Sequence, residues 1–206
     1  MRLFLLGATG GTGQQVLRQA LNRGHEVTTL ARSPQKITRR DPKLTILSGD
    51  PLSVSELRAA LPGHDAVISA LGPHSPAPTT AASDCARALV RAMRGTEVKR
   101  LIVVSGALLF KHAGGLTPLF FLVRKVFSNV LRDHQEAEKQ LAGSGLDWTI
   151  VRPPYLSSGV GQANYRALES RLPPRGLRLS RADLARFLLD VMENQTYSRK
   201  IVGVSQ

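Results

Sequence analysis

Near its start the chain reads Leu6-Gly7-Ala8-Thr9-Gly10-Gly11-Thr12-Gly13, and this stretch limits the possible folds more than any other. An apolar run, Leu3 to Leu6, precedes it, and a helix-like pattern, Gln14 to Arg23, follows. Glycines at 7, 10 and 13 let the chain turn tightly, let backbone approach a ligand, and let a helix pack close on a strand. The free N–H groups at the helix start then face an anion, and a dinucleotide pyrophosphate suits that arrangement. Gly7, Thr9, Gly10, Gly11, Thr12 and Gly13 are the residues expected to hold it. A glycine-rich turn with no ligand is the competing reading, and only the context of the motif argues against it.

That context is regular alternation. Apolar runs recur at Leu3–Leu6, Val27–Leu30, Leu44–Leu47, Ala66–Leu71, Leu101–Val104, Trp148–Val151 and Ile201–Val204. They are continuous, as parallel strands buried on both faces must be. Helical patterns lie between them: Val16, Leu17, Ala20 and Leu21 share a face that Gly24 ends, and Leu57, Ala60 and Leu61 precede Pro62-Gly63. Ala81 to Met93 reads as a long helix, and Leu119 to Leu141 as a single one. Ser180 with Asp183 three residues on forms a capping box for a last helix to about Glu193. Strand alternating with helix predicts an α/β, Rossmann-like doubly wound parallel sheet, one domain over 1–206 with a small C-terminal substrate-side region. Two segments break the pattern, 106–118 and 153–177. Both leave the carboxyl ends of strands, where open α/β sheets bind ligands, so they are the expected substrate walls.

At 206 residues the chain can bury about 70% of its unfolded surface without staples. Its single cysteine, Cys85, excludes an internal disulfide and a multi-cysteine zinc site, which fits a reducing, cytoplasmic setting. The five histidines show no metal-ligand spacing, so no metal is expected. The Met1–Leu6 run is too short for a secretion signal, and Leu119–Val123 is too short to span a bilayer. A net charge of +13 invites a nucleic-acid reading. The cations are scattered, however, and no aromatic residues interleave them as a stacking platform. Most of this charge reads as solvated surface.

The second strand indicates which dinucleotide is expected. A site for NAD places a carboxylate at the end of that strand, against the ribose hydroxyls. Here the strand ends Thr29-Leu30-Ala31-Arg32-Ser33, with Lys36 one turn on. Arg32 stands where a 2′-phosphate would lie, and charge-assisted bonds to it predict about a tenfold to hundredfold preference for NADPH/NADP⁺. An ordinary surface arginine is the alternative.

These marks together resemble the atypical short-chain dehydrogenase/reductases, specifically the small NAD(P)H-binding group around flavin reductase/biliverdin-IXβ reductase and the NmrA-like proteins. The matching stretches are Gly7–Gly13, Ala31-Arg32-Ser33, Gly49-Asp50, Ile68-Ser69-Ala70-Leu71-Gly72, Val103-Val104-Ser105, and Ser144 through Arg152-Pro153-Pro154. They run in order over nearly the whole chain. The resemblance implies Asp50 and Pro51 by the adenine, and Leu71 and Gly72 beside the nicotinamide ribose. It puts the Ser105 hydroxyl near the nicotinamide and adds Pro153 and Pro154 to the cofactor side. One departure matters more. Alcohol-oxidising relatives use a Tyr and a Lys four residues apart on a helix, and by resemblance those positions are Val130 and His134 here. Val130 cannot transfer a proton, whereas His134 can donate a hydrogen bond to the ribose or amide.

Reduction of a flavin or similar conjugated acceptor needs no such pair, because solvent can supply the proton. Ser105, His134 and Tyr155 are the polar candidates for catalysis. His134 is alternatively a solvent-facing helix histidine, and Tyr155 a loop aromatic packed on the core. Leu108, Leu109, Phe110, Phe120 and Phe121 are candidates for an apolar acceptor slot. Glu136 and Glu138, two apart on a helix, read as surface carboxylates. The expected function is an NADPH-dependent reductase of a small conjugated acceptor such as a flavin. The alternative is a non-catalytic NADP(H) sensor of NmrA-like type. Oligomeric state is left open, with a monomer as the working expectation.

Overall fold

The computed structural model describes residues 1–72, 77–110 and 118–206, and side chains for all of these except 118–121. In chain order the elements are β1 (Arg2–Leu6), α1 (Gly11–Asn22), β2 (Glu26–Ala31), β3 (Leu44–Ser48), α2 (Val54–Ala60), β4 (Ala66–Ser69), α3 (Ala81–Met93) and β5 (Arg100–Val104). Then come α4 (Pro118–Val126), α5 (Ser128–Ala142), β6 (Asp147–Arg152), β7 (Tyr155–Ser157), β8 (Arg166–Glu169), β9 (Arg178–Ser180), α6 (Arg181–Glu193) and β10 (Lys200–Ser205). The main sheet has eight strands in the order β3-β2-β1-β4-β5-β6-β10-β8. All its pairings are parallel except β10 with β8, so the sheet is mostly rather than wholly parallel.

The period of two along each strand divides the core. Leu3 and Leu5 of β1 face α1 and α6, meeting Val16, Leu17, Ala20, Leu184 and Leu188. Phe4 and Leu6 face the other way, toward Leu57, Leu89, Met93 and Leu141 of α2, α3 and α5. All four β1 side chains are fully buried, and burial of each contributes about 1.5–3 kcal/mol. Two covered faces are the reason the strands read as unbroken apolar runs.

Two expectations change. Residues 153–177 are not irregular throughout: they hold β7 and β8, and β7 pairs in parallel with β9 as a separate two-stranded sheet. The expected helix over 119–141 is two helices, α4 and α5, separated at Phe127 (ψ 14°). Ser128 and Asn129 begin α5, and such side chains compete with helical backbone bonds and favour helix ends. Of the loop 106–118, residues 111–117 lie outside the described residues, with Gly114-Gly115 and His112 among them; so does His74. The capping box forms as expected, with the Asp183 N–H donating to Ser180 Oγ at 2.9 Å. Among the described residues, no helix is long and apolar enough to cross a membrane.

Candidate functional site

The strand order reverses between β1 and β4, and a cavity of about 430 Å³ opens at the carboxyl ends of the strands there. Its floor is the glycine turn. Gly7 has φ +84°, and a Cβ on it would lie 2.7 Å from the Ala70 carbonyl carbon, so only glycine fits. A Cβ on Gly13 would lie 2.0 Å from the Gly7 oxygen, so Gly13 brings α1 hard against the turn rather than lining the cavity. Gly10 caps α1 with no side-chain hydrogen bond, and the first turn carries no acid. By contrast, α2 and α6 are each capped by a serine, with Glu56 and Asp183 in their first turns. The N–H groups and positive dipole end of α1 are therefore open to an anion from the cavity.

The two ends of the cavity differ. One is lined by Ala31, Arg32, Ser33, Lys36 and Pro51. Among the described residues neither Arg32 nor Lys36 is in an ion pair, so two exposed cations face this end. Asp50 lies beside it but turns its carboxylate to the Leu52 N–H at 3.0 Å, fixing the turn that presents Pro51. The other end is lined by Leu71, Gly72, Val104, Ser105, His134 and Leu156. Of the expected cofactor residues, Gly13, Asp50, Pro153 and Pro154 do not line the cavity. Pro153 is buried, and its carbonyl accepts from the Ala107 N–H at 2.9 Å, joining the loops after β5 and β6.

A buried polar cluster supports the second end. The Ser105 hydroxyl donates to Glu138 Oε1 at 2.7 Å, and Arg152 Nε donates to the same oxygen at 3.0 Å. The second Arg152 nitrogen bonds Glu138 Oε2, making a forked pair with side chains only 12% and 10% exposed. The Arg152 guanidinium also lies 4.6 Å from the centre of the Phe110 ring. The surface reading of Glu138 is therefore wrong. Glu138 follows His134 by four residues, which puts both on one face of α5, and that face turns inward. Glu136, two residues away, is exposed as expected.

His134 is buried too, not solvent-facing. Burial lowers its pKa, and the nearby Arg152 charge adds to this, while Asp133 and Glu138 oppose it. The ring is thus neutral near pH 7 and has one N–H to donate. Tyr155 stands apart: it is 71% exposed and does not line the cavity. It opens β7, where neighbouring side chains alternate, so the inward position belongs to Leu156. Phe110 packs beneath Arg152, and Leu108, Leu109 and Phe110 are not in the cavity wall; the Phe120 and Phe121 side chains lie outside the described residues.

Sequence reasoning missed Glu138, Arg152, Leu156 and Arg181. Arg152 carried a usable signal, since a cation ending a buried apolar strand needs a carboxylate partner. Arg181 carried none, as its place at the glycine turn depends on how α6 packs on α1. Cys85 lies deeper, its thiol pushed up to about 11 by burial against a weak bond from Ser69, and is unsuited to nucleophilic chemistry. Among the described residues, no group of His, Cys, Asp and Glu is placed to hold a metal ion.

Comparison with known families agrees with this geometry. The profile of the NAD(P)H-binding family matches residues 7–195, and the chain belongs to that family. Uncharacterized protein YwnB of Bacillus subtilis is 35% identical over 108 residues, 52% of this chain and 48% of YwnB, so the match spans about half of that relative. Oxidoreductase aflX of Aspergillus parasiticus is 26% identical over 99% of this chain and 83% of its own. A Streptococcus pneumoniae protein provisionally named an NADH-flavin reductase is 25% identical, with a TM-score of 0.82 over 100% of this chain and 99% of that one. The chain is thus a member of the NAD(P)H-binding family, built on a Rossmann-like, mostly parallel sheet with helices on both faces.

Proposed function

We propose that this chain is an NADPH-dependent oxidoreductase that passes hydride to a flavin or a similar conjugated acceptor. One observation carries the reading: the two ends of the cavity are equipped for different tasks. Arg32 and Lys36 present paired charge at one end, and Ser105 and His134 present neutral polar groups at the other.

The residues fit a phosphorylated dinucleotide. The open N–H groups of α1, with Thr9 and Thr12 beside them, suit the pyrophosphate. Arg32 and Lys36 suit a 2′-phosphate, and Pro51 a flat adenine. Leu71 and Gly72 suit the nicotinamide half, and the Pro153 carbonyl ties together the loops behind it. When bound, NADPH supplies the hydride. The Ser105 proton is committed to Glu138, so its oxygen is left to accept from an amide. His134, neutral, donates to a ribose or amide oxygen. Neither is a strong acid, and Val130 offers no proton, so the acceptor's proton comes from solvent. That requirement favours acceptors whose reduced form is stabilised by conjugation over simple ketones. A cytoplasmic setting belongs to this reading.

Steady-state NADPH oxidation with FMN or riboflavin tests it. The expected result is turnover above the free-flavin background that Ser105→Ala lowers. NADPH binding without turnover on flavins or quinones would instead favour a sensor, which the same lack of an acid also permits.

A further inference from the structure

Gly11 is the glycine that the turn itself does not explain. It is the first residue of α1, outside the 7-10-13 spacing, and no left-handed backbone requires it. A Cβ there would lie 2.9 Å from Arg181 Cδ and 3.0 Å from Arg181 Nε. The missing side chain makes room for an arginine from the far end of the chain.

Arg181 is held in that place from both sides. It is the first residue of α6, whose start is fixed by the Ser180 cap. Asp183, fully buried, accepts from the Ser180 hydroxyl at 2.8 Å and from the N–H groups of Gln162 and Ala163 at 3.1 and 2.9 Å. The guanidinium donates to Ser158 Oγ at 3.0 Å and is in no ion pair among the described residues. It lines the same cavity as Gly10, Gly11 and Thr12. A third cation therefore lies over the open N-terminus of α1, apart from Arg32 and Lys36.

We propose that Arg181 is a pyrophosphate-binding residue that, through Ser158, ties the substrate-side segment 153–177 to the dinucleotide. The proposal rests on the NADP(H) reading above. An arginine has five donors, so the bond to Ser158 leaves others for phosphate oxygens. The pyrophosphate is common to NADPH and NADH. Arg181 thus sets the affinity for both, while Arg32 sets the choice between them.

Calorimetric titration of the full chain separates these roles, using NADPH, NADH and adenosine 2′-monophosphate, which has no pyrophosphate. Arg181→Ala should raise the Kd for NADPH and NADH by the same factor, about tenfold. It should leave adenosine 2′-monophosphate within about twofold. Arg181→Lys, which keeps the charge without the fork, should fall between. Gly11→Ala, which displaces the guanidinium without removing it, should weaken NADPH severalfold in the parent and add nothing to Arg181→Ala. An unchanged NADPH Kd in Arg181→Ala, or equal weakening of adenosine 2′-monophosphate, would overturn the proposal. A parent protein that binds neither dinucleotide would overturn the functional reading beneath it instead.

Discussion

At the floor of the cavity the local groups open to an anion are main chain: the N–H groups that open α1, in one short stretch of sequence with Gly7 and Gly10. At the nicotinamide-facing end of this reading they are side chains, Ser105 and His134, backed by Glu138 and Arg152; they follow β5 or lie on α5 and β6 and are joined only by the fold. The first design fails when an atom is added, because backbone lies against backbone. The second fails when an atom is removed, because a buried charge loses its partner. Each end is therefore broken by the opposite kind of substitution.

The two largest effects are expected at the glycine turn and at the buried ion pair. Gly13→Ala places a Cβ 2.0 Å from the Gly7 oxygen and must force α1 off the turn. Urea unfolding should show a loss of about 3 kcal/mol or more. A variant close to the parent would mean that the turn yields more readily than its packing indicates. At the second end, Glu138→Ala leaves Arg152 buried and unpaired, at a cost of about 3–5 kcal/mol. Glu136→Ala, on the exposed side of the same helix, should stay within about 0.5 kcal/mol. Glu138→Leu combined with Arg152→Met should recover most of the loss. Equal effects at 136 and 138 would remove the buried cluster from the account.

Acid sharpens the contrast. His134 has its pKa lowered by burial, so stability from its neutral form is present above its unfolded value of about 6.5 and is lost as pH falls below it. Asp183 is pushed up by burial, but bonds from Ser180, Gln162, Ala163 and Gln206 outweigh this and hold its carboxyl low. Its contribution is present above about pH 4 and drains only as pH falls further. Thermal midpoints against pH should thus decline in two limbs, with Asp183→Asn flattening the lower one. A decline that begins only below about pH 4 would contradict the burial of His134. The smallest effect belongs to Tyr155→Ala, which should change stability by less than about 0.5 kcal/mol. A large loss of flavin turnover in that variant would restore the exposed tyrosine to the site.

The same difference decides what was legible in the sequence. The glycine turn, the seven apolar runs and the Ser180 cap are local patterns, and each lies where it was expected. Arg32 and Lys36 follow β2 directly, so their end of the cavity could be located by counting. Glu138 could not. Whether a helical carboxylate faces water or core depends on which face of α5 meets β5 and β6, and period alone does not say. Tyr155 failed on a finer scale: a one-residue step along β7 exchanges inside for outside, so Leu156 holds the wall instead. Arg181 is further still, since α1 and α6 become neighbours only once the sheet has formed.

The central claim is that the charged end of this cavity recognises a 2′-phosphate. Equilibrium titration of the parent chain and of Arg32→Ala with NADPH and with NADH tests it most directly. The account predicts that the parent prefers NADPH by about tenfold to a hundredfold. It also predicts that Arg32→Ala loses most of that preference while NADH binding is unchanged. Equal affinities in the parent, or a preference that survives Arg32→Ala, would contradict it.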